Sequence, residues 1–384
     1  MARYFWDISF LKRDLDKLLH AMNNEDDPLK KHELSRCYDI VNSIIYQEFV
    51  SSERMVSFPV TVADMYQSYL LEQRYFELLE VFLDPIEKNL DLYNQCSDGL
   101  ETLEDVVEKA TAVHVGREKA ISLCHEFYQN LDEELYASFK PFYDDRFSHL
   151  RFKKEIHHDA ASFTCGRSHF LYGLGTNYVQ ILGKDNPEMV MTLIHESAHV
   201  IDNKMNPEAY LKETYFYEVI SLFMEFVSFY QRVGHFDELF YHGQKIKRLS
   251  SFFADANAGS DLGLLMSVFK ENEYNINSDF YKLAKSEYNF SKREVKETLL
   301  QSNYDDIVYP ISFTLAMYFF HIYKQDKKQG LLELKQFLKT IDRDQYIPFI
   351  LSSEMSSVLE EEVHDTMQST NQVFSKKIKE LGRR

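Results

Sequence analysis

NPEMVMTLIHESAHVIDNK, residues 186–204, decides how the rest of this chain is read. Asn186 is a natural helix cap, and Pro187 suits the first helical position, where its missing N–H costs nothing. No glycine or further proline interrupts the run to Lys204. Met189, Val190, Leu193, Ile194, Val200 and Ile201 give the predicted helix a largely buried character. His195 and His199 are four apart, so both imidazoles leave one face of the helix a turn from each other. That geometry suits two ligands of one tetrahedral Zn²⁺. Glu196 stands about 100° further round, where a carboxylate can take a proton from a water polarised by the metal.

Outward from this segment, the totals favour helices. Only 12 Gly and 8 Pro occur in 384 residues, and long segments lack both. Thirty Phe and 25 Tyr supply material for thick helix packing. The expected fold class is mainly α: a large helical body around the metal-binding helix, with one small β-hairpin or sheet beside it. A formal charge of −18 argues against a nucleic-acid backbone or an anionic membrane surface as partner. Cys37, Cys96, Cys124 and Cys165 are widely spaced, without a Cys-x-x-Cys pair, and read as reduced thiols. The charged, amphipathic start of the chain lacks the apolar core of a signal peptide. The most apolar run, Ile307 to Tyr323, contains Pro310 and His321 and is short for a membrane span of about 20 residues. A soluble, cytoplasmic protein is expected, with no membrane or nucleic-acid partner; its oligomeric state is not legible.

Apolar spacing predicts helices over 3–22, 30–50, 61–83, 86–96 and 99–111, and a longer one from Arg117 to Phe139 that stops before Pro141. Residues 1–114 carry no chemical motif and read as a scaffold or cleft wall, with the catalytic region assigned to 115–384. Four glycines within 18 residues, Gly166, Gly173, Gly175 and Gly183, mark a change of texture. Residues 169–172 and 178–182 read as two short strands around a Gly-x-Gly turn. A strand edge there could hold an extended peptide, or the hairpin could serve packing alone. After the pentad, Asn206-Pro207 repeats the cap-and-proline signal and opens a predicted helix over 207–231. Glu208 and Glu213 read as solvated. Glu218 and Glu225, seven apart on one face, sit among Val219, Ile220, Leu222, Phe223, Met224 and Phe226, where carboxylates are costly unless paired or bound to metal. Further helices are predicted over 238–255, 260–289, 291–301, 306–325, 329–341 and 353–381.

Two carboxylates therefore compete as third ligand. Glu218 lies 19 residues after His199, a spacing used by zinc aminopeptidases; Glu225 lies 26 after it, a spacing used by oligopeptidases. EVISLFME, residues 218–225, resembles the Glu-x-Pro-Ser-x-x-x-Glu segment of the thimet oligopeptidase and oligoendopeptidase F family of zinc metallopeptidases. The resemblance continues upstream in Thr192-Leu193-Ile194-His195-Glu196 and downstream in Tyr304 and Tyr309, which lead into ISFTLA at 311–316. It implies His195, His199 and Glu225 as the ligands of one Zn²⁺ per chain, with Glu218 orienting a ligand histidine. It also implies Glu196 as general base, and Tyr309 or Tyr304 as the hydroxyl that steadies the oxyanion. Departures are Ala198 and Ile220, where the family has glycine and proline, and Asp202, where it has histidine.

The implied activity is zinc-dependent endopeptidase cleavage of short oligopeptides. The alternatives are an aminopeptidase using Glu218 as third ligand and a non-catalytic helical interaction protein derived from a peptidase.

Overall fold

Long runs without helix breakers become helices throughout the computed structural model, which describes residues 8–45, 81–82, 84–85, 88–153, 165–210, 216–271, 278–295 and 305–382. In chain order the principal elements are α1 (Ile8–Asn23), α2 (Pro28–Ile45), α3 (Leu90–Thr102), α4 (Glu104–Thr111), α5 (Arg117–Leu131) and α6 (Glu133–Asp144). Then come β1 (Leu150–Lys153), β2 (Cys165–Leu171) and β3 (Thr176–Leu182). The second half is helical again: α7 (Pro187–Met205), α8 (Val219–Tyr230), α9 (Glu238–Glu271), α10 (Ser278–Tyr288), α11 (Asp305–Gln325), α12 (Lys327–Lys339) and α13 (Ser353–Leu381). The fold is mainly α with one small sheet, as expected. The helix predicted over 61–83 lies almost wholly outside the described residues, as does most of the one over 291–301. None of the described helices is long and apolar enough to cross a membrane.

Several boundaries differ from the predicted ones, each for a local reason. The break expected near Gly99 is absent, because this glycine serves packing: a Cβ there would meet Phe374 of α13 at 3.0 Å. The helix predicted from 117 to 139 divides at Asp132, whose extended backbone and side chain cap α6 through the amides of Glu134 and Leu135, so Pro141 falls inside α6. The two helices predicted over 238–289 are redrawn as the 34-residue α9 and the shorter α10. The helix predicted over 207–231 is also divided. A short helical segment covers Pro207–Tyr210, and α8 begins only at Val219, with Glu218 as its N-cap residue.

The sheet has the order β1-β3-β2, with β2 antiparallel and β1 parallel to β3. Strand β1 is not among the predicted strands, since its four residues give too little alternation to register. Alternate residues divide the sheet between two apolar clusters. Leu150, Phe152, Val179 and Ile181 join the main core, which runs from Phe82 to Phe374. Leu171 and Tyr178 join a smaller cluster with Leu11, Leu18, Leu34 and Val41 of α1 and α2. Tyr178 also donates to the buried carboxylate of Asp14, at 2.6 Å, which ties α1 to the sheet.

Helix α7 runs through the main core, packed on α8, α5, α6 and both β2 and β3. Asn186 caps it by accepting from the Met189 amide. Its far end is held by Arg343, which donates two bonds to the buried carboxylate of Asp202 and lies 4.5 Å from the Phe337 ring. Helix α8 is apolar on every side except for Ser221, Glu225 and Ser228, and all of its residues from Val219 to Phe229 are buried. A helix of that kind belongs in a core. Its serines turn back on their own helix, Ser221 donating to the Glu218 carbonyl and Ser228 to the Glu225 carbonyl.

Candidate metal centre

The crossing of α7 and α8 brings His195, His199 and Glu218 together. The two imidazoles are a turn apart, with ring centres separated by 5.2 Å and planes at 76°. Both Nε2 atoms face one carboxylate oxygen: Glu218 Oε2 is 3.1 Å from His195 Nε2 and 3.5 Å from His199 Nε2. One donor atom from each of the three residues falls within 4.8 Å of the others. Metal–donor distances of about 2.0–2.2 Å place two tetrahedral ligand atoms roughly 3.3–3.6 Å apart. The His199–Glu218 separation falls within that spacing and the His195–Glu218 separation about 0.2 Å short of it, and two imidazole nitrogens with one carboxylate are a donor set that suits zinc.

Glu225 stands elsewhere. Its Oε1 lies 2.8 Å from His195 Nδ1, on the other side of the ring from Glu218. Among the described residues the donor atoms that converge are those of His195, His199 and Glu218, whereas Glu225, the expected third ligand, faces the opposite nitrogen of the His195 ring. The helix break before Val219 explains the difference. It puts Glu218 at the mouth of α8, beside both histidines, while Glu225 lies two turns inside. Glu225 is fully buried, and one of its oxygens, Oε2, has no hydrogen-bond partner. Its other oxygen accepts from Arg248 Nη2 at 2.5 Å. Arg248 also donates to the Tyr309 hydroxyl at 3.3 Å.

Charge in this cluster is tightly coupled. Burial works against the imidazolium of His195, but Glu218 and Glu225 on its two nitrogens outweigh burial and hold its pKa well above the usual value. Burial pushes His199 down, with Glu218 opposing. Burial also acts against the carboxylate of Glu218, yet His199 and His195 keep it below the usual range. Arg248 and His195 do the same for Glu225. Metal binding requires neutral rings, so a divalent cation would replace the proton that His195 otherwise holds between two carboxylates.

Glu196 follows His195 on α7 and is buried against β2. A Cβ at Gly166 would lie 2.4–2.7 Å from the outer atoms of the Glu196 side chain, so any residue other than glycine would displace Glu196 from this position. Burial, reinforced by the negative charges of Glu218 and Glu225, raises Glu196 to about 8. A carboxyl group poised near neutral pH is what general acid–base work needs.

Of the two candidate tyrosines, Tyr309 comes from α11 and reaches the cluster through Arg248. Tyr304 lies outside the described residues. Tyr217, next to Glu218, stacks on His199 with ring centres 5.8 Å apart. Neither Arg248 nor Tyr217 is among the residues that the sequence singles out. Arg248 stands in the unremarkable run KIKRLS at 245–250, which carries no spacing that would flag it. Tyr217 adjoins Glu218, and that adjacency is the one signal that points to it.

No protein-family model matches the sequence, and no curated protein matches it. Among solved structures, the fold is shared with a protein assigned as an oligoendopeptidase F from Bacillus anthracis str. Ames, with a TM-score of 0.50 and 12% identity over 94% of this chain and 69% of that one. PZ peptidase A with an inhibitor is also similar, with a TM-score of 0.43 and 12% identity over 93% of this chain and 71% of that one. A third match, another protein assigned as an oligoendopeptidase F, has a TM-score of 0.41 and 11% identity, covering 94% of this chain and 71% of that one.

Proposed function

We propose that the protein is a zinc metallopeptidase acting on short peptides, with His195, His199 and Glu218 as metal ligands. The observation that carries this reading is the convergence of both Nε2 atoms on one Glu218 carboxylate oxygen, at 3.1 and 3.5 Å, with Glu196 buried alongside. A structural pair of core histidines would not need a second carboxylate and a third within one cluster, since each buried charge is costly. When bound, zinc supplies a Lewis acid and lowers the pKa of water.

The rest of the chemistry belongs to the chain. Glu196 accepts a proton from the attacking water and delivers it to the leaving amine. Glu225 fixes the His195 ring through Nδ1 so that Nε2 points at the site, an arrangement of the kind that commonly supports metal-bound histidines. Arg248 holds Glu225 in its ionised form. Tyr309 is the candidate hydroxyl for the developing oxyanion, and Arg248 orients it. Strand β2, paired only with β3 among the described residues, offers an edge beside Glu196 for an extended peptide backbone.

The decisive experiment is hydrolysis of a panel of quenched fluorescent peptides, with and without chelator, together with zinc content. The wild-type chain is expected to carry one zinc and to lose activity on chelation. Glu196→Gln should keep its zinc and lose about 10²–10⁴-fold in rate. Full activity in that variant, or in the chelated protein, would rule the reading out. Zinc bound with no hydrolysis of any peptide would favour the non-catalytic interaction protein.

A further inference from the structure

A cavity of about 330 Å³ lies among α8, α9, α11 and α13. Its size falls at the lower end of ordinary small-ligand sites, roughly 300–1,000 Å³. Phe226 and Phe229 from α8 and Phe313 and Phe320 from α11 supply apolar walls, and Lys245 and Arg248 from α9 supply cations. The carboxylates around it are already engaged. Glu225 takes Arg248 and His195. Glu362 takes Lys324 and His321, each at 2.7 Å, and Asp365 lies 3.8 Å from the same lysine. Lys245 has no salt bridge or hydrogen bond among the described residues. Burial lowers its pKa, with the positive charges of Arg232 and Lys324 acting the same way and Glu238 and Glu362 opposing without offsetting them.

An unpaired lysine and a partly exposed guanidinium at the wall of an aromatic cavity call for an anion with an apolar body. We propose that this cavity binds a small amphipathic carboxylate, its anion paired with Lys245 and Arg248 and its apolar part packed among Phe226, Phe313 and Phe320. A free aromatic acid and the C-terminal carboxylate of a short peptide share that chemistry. Arg248 is also the residue that holds Glu225 behind His195. An occupant would therefore share its guanidinium with the carboxylate that orients a metal ligand.

The test is calorimetric titration of the full chain, read as binding rather than hydrolysis, so its outcome is separate from that of the peptidase reading. The probes are 3-phenylpropionate and its neutral counterpart 3-phenylpropan-1-ol. The acid should bind at least about tenfold more tightly than the alcohol, in keeping with a charge-assisted contact. Lys245→Met, which keeps the apolar stem, should abolish that preference without lowering the melting temperature, and Lys245→Arg should retain it. Glycyl-phenylalanine and its C-terminal amide form the second arm. A preference for the acid there identifies peptide C-termini as occupants, and a preference confined to phenylpropionate identifies free acids. Equal binding of acid and alcohol, no saturation at millimolar acid, or a preference that survives in Lys245→Met with the acid seated at the metal centre instead would overturn the proposal.

Discussion

Two clusters in this protein are built from the same three parts. In one, the buried Glu225 accepts from Arg248 and faces His195 Nδ1 at 2.8 Å. In the other, the buried Glu362 faces Lys324 and His321 Nδ1, both at 2.7 Å. Both glutamates are almost wholly removed from solvent, at 0% and 1% exposure, so each needs its cation for the same electrostatic reason. What differs is the second ring nitrogen. His321 Nε2 meets the amide of Gln325 at 2.7 Å, whereas His195 Nε2 meets Glu218, which His199 also faces. A carboxylate–histidine–cation triad is thus a structural pin in one place and the backing of a candidate metal centre in the other. The chemistry of a site comes from what stands on its open side.

That contrast can be broken experimentally, and the largest effect is expected at Glu218. Glu218→Gln should strip zinc from the purified protein, while Glu225→Gln should keep it at saturation with an affinity about 10–100-fold weaker. Zinc content by mass spectrometry and competition with a chelating dye would separate the two. Loss of zinc in Glu225→Gln with full retention in Glu218→Gln would reverse the ligand assignment.

The matching change in the structural triad should act on stability alone. Glu362→Gln removes the buried carboxylate that the half-buried Lys324 and His321 share, leaving Lys324 with Asp365 at 3.8 Å, at a cost of about 1–3 kcal/mol in urea unfolding. Its zinc content should equal that of the wild type. A zinc-depleted Glu362→Gln protein would mean that the two clusters are not separable.

The last expected effect, confined to acid pH, is a dependence that involves neither triad. His242 hydrogen-bonds Thr370 of α13 at 2.9 Å, and burial lowers its pKa to about 4. Its neutral ring is favoured in the folded state, so its contribution is complete above the unfolded pKa of about 6.5. Between that value and about 4 the unfolded chain binds the extra proton, and stability falls with pH by at most about 1.4 kcal/mol per unit. His242→Gln should flatten that part of the unfolding profile; an unchanged slope would assign the acid sensitivity to other groups.

Much of the frame is legible in the residues themselves. The cap at Asn186, the proline after it and the run of apolar residues locate α7, because capping and periodicity are local properties. The hairpin is visible through its glycines, although β1 is not. Gly99 misleads: it reads as a breaker and is a contact point for Phe374, and sequence alone does not say whether a glycine turns the chain or admits a neighbour. Gly166 has the same character, since its need for close approach arises only once β2 lies against Glu196.

The sequence by itself determined a helical protein and the pairing of His195 with His199, since four residues on a helix bring two side chains to one face whatever surrounds them. It also singled out two glutamates seven apart as candidates to stand with those histidines. Only the tertiary structure gives the two different surroundings, by starting α8 at Val219 and crossing it over α7, so that Glu218 faces both Nε2 atoms and Glu225 meets Arg248, 23 residues further along the chain. Helical periodicity fixes a face; it does not fix which residue on that face stands where two helices cross.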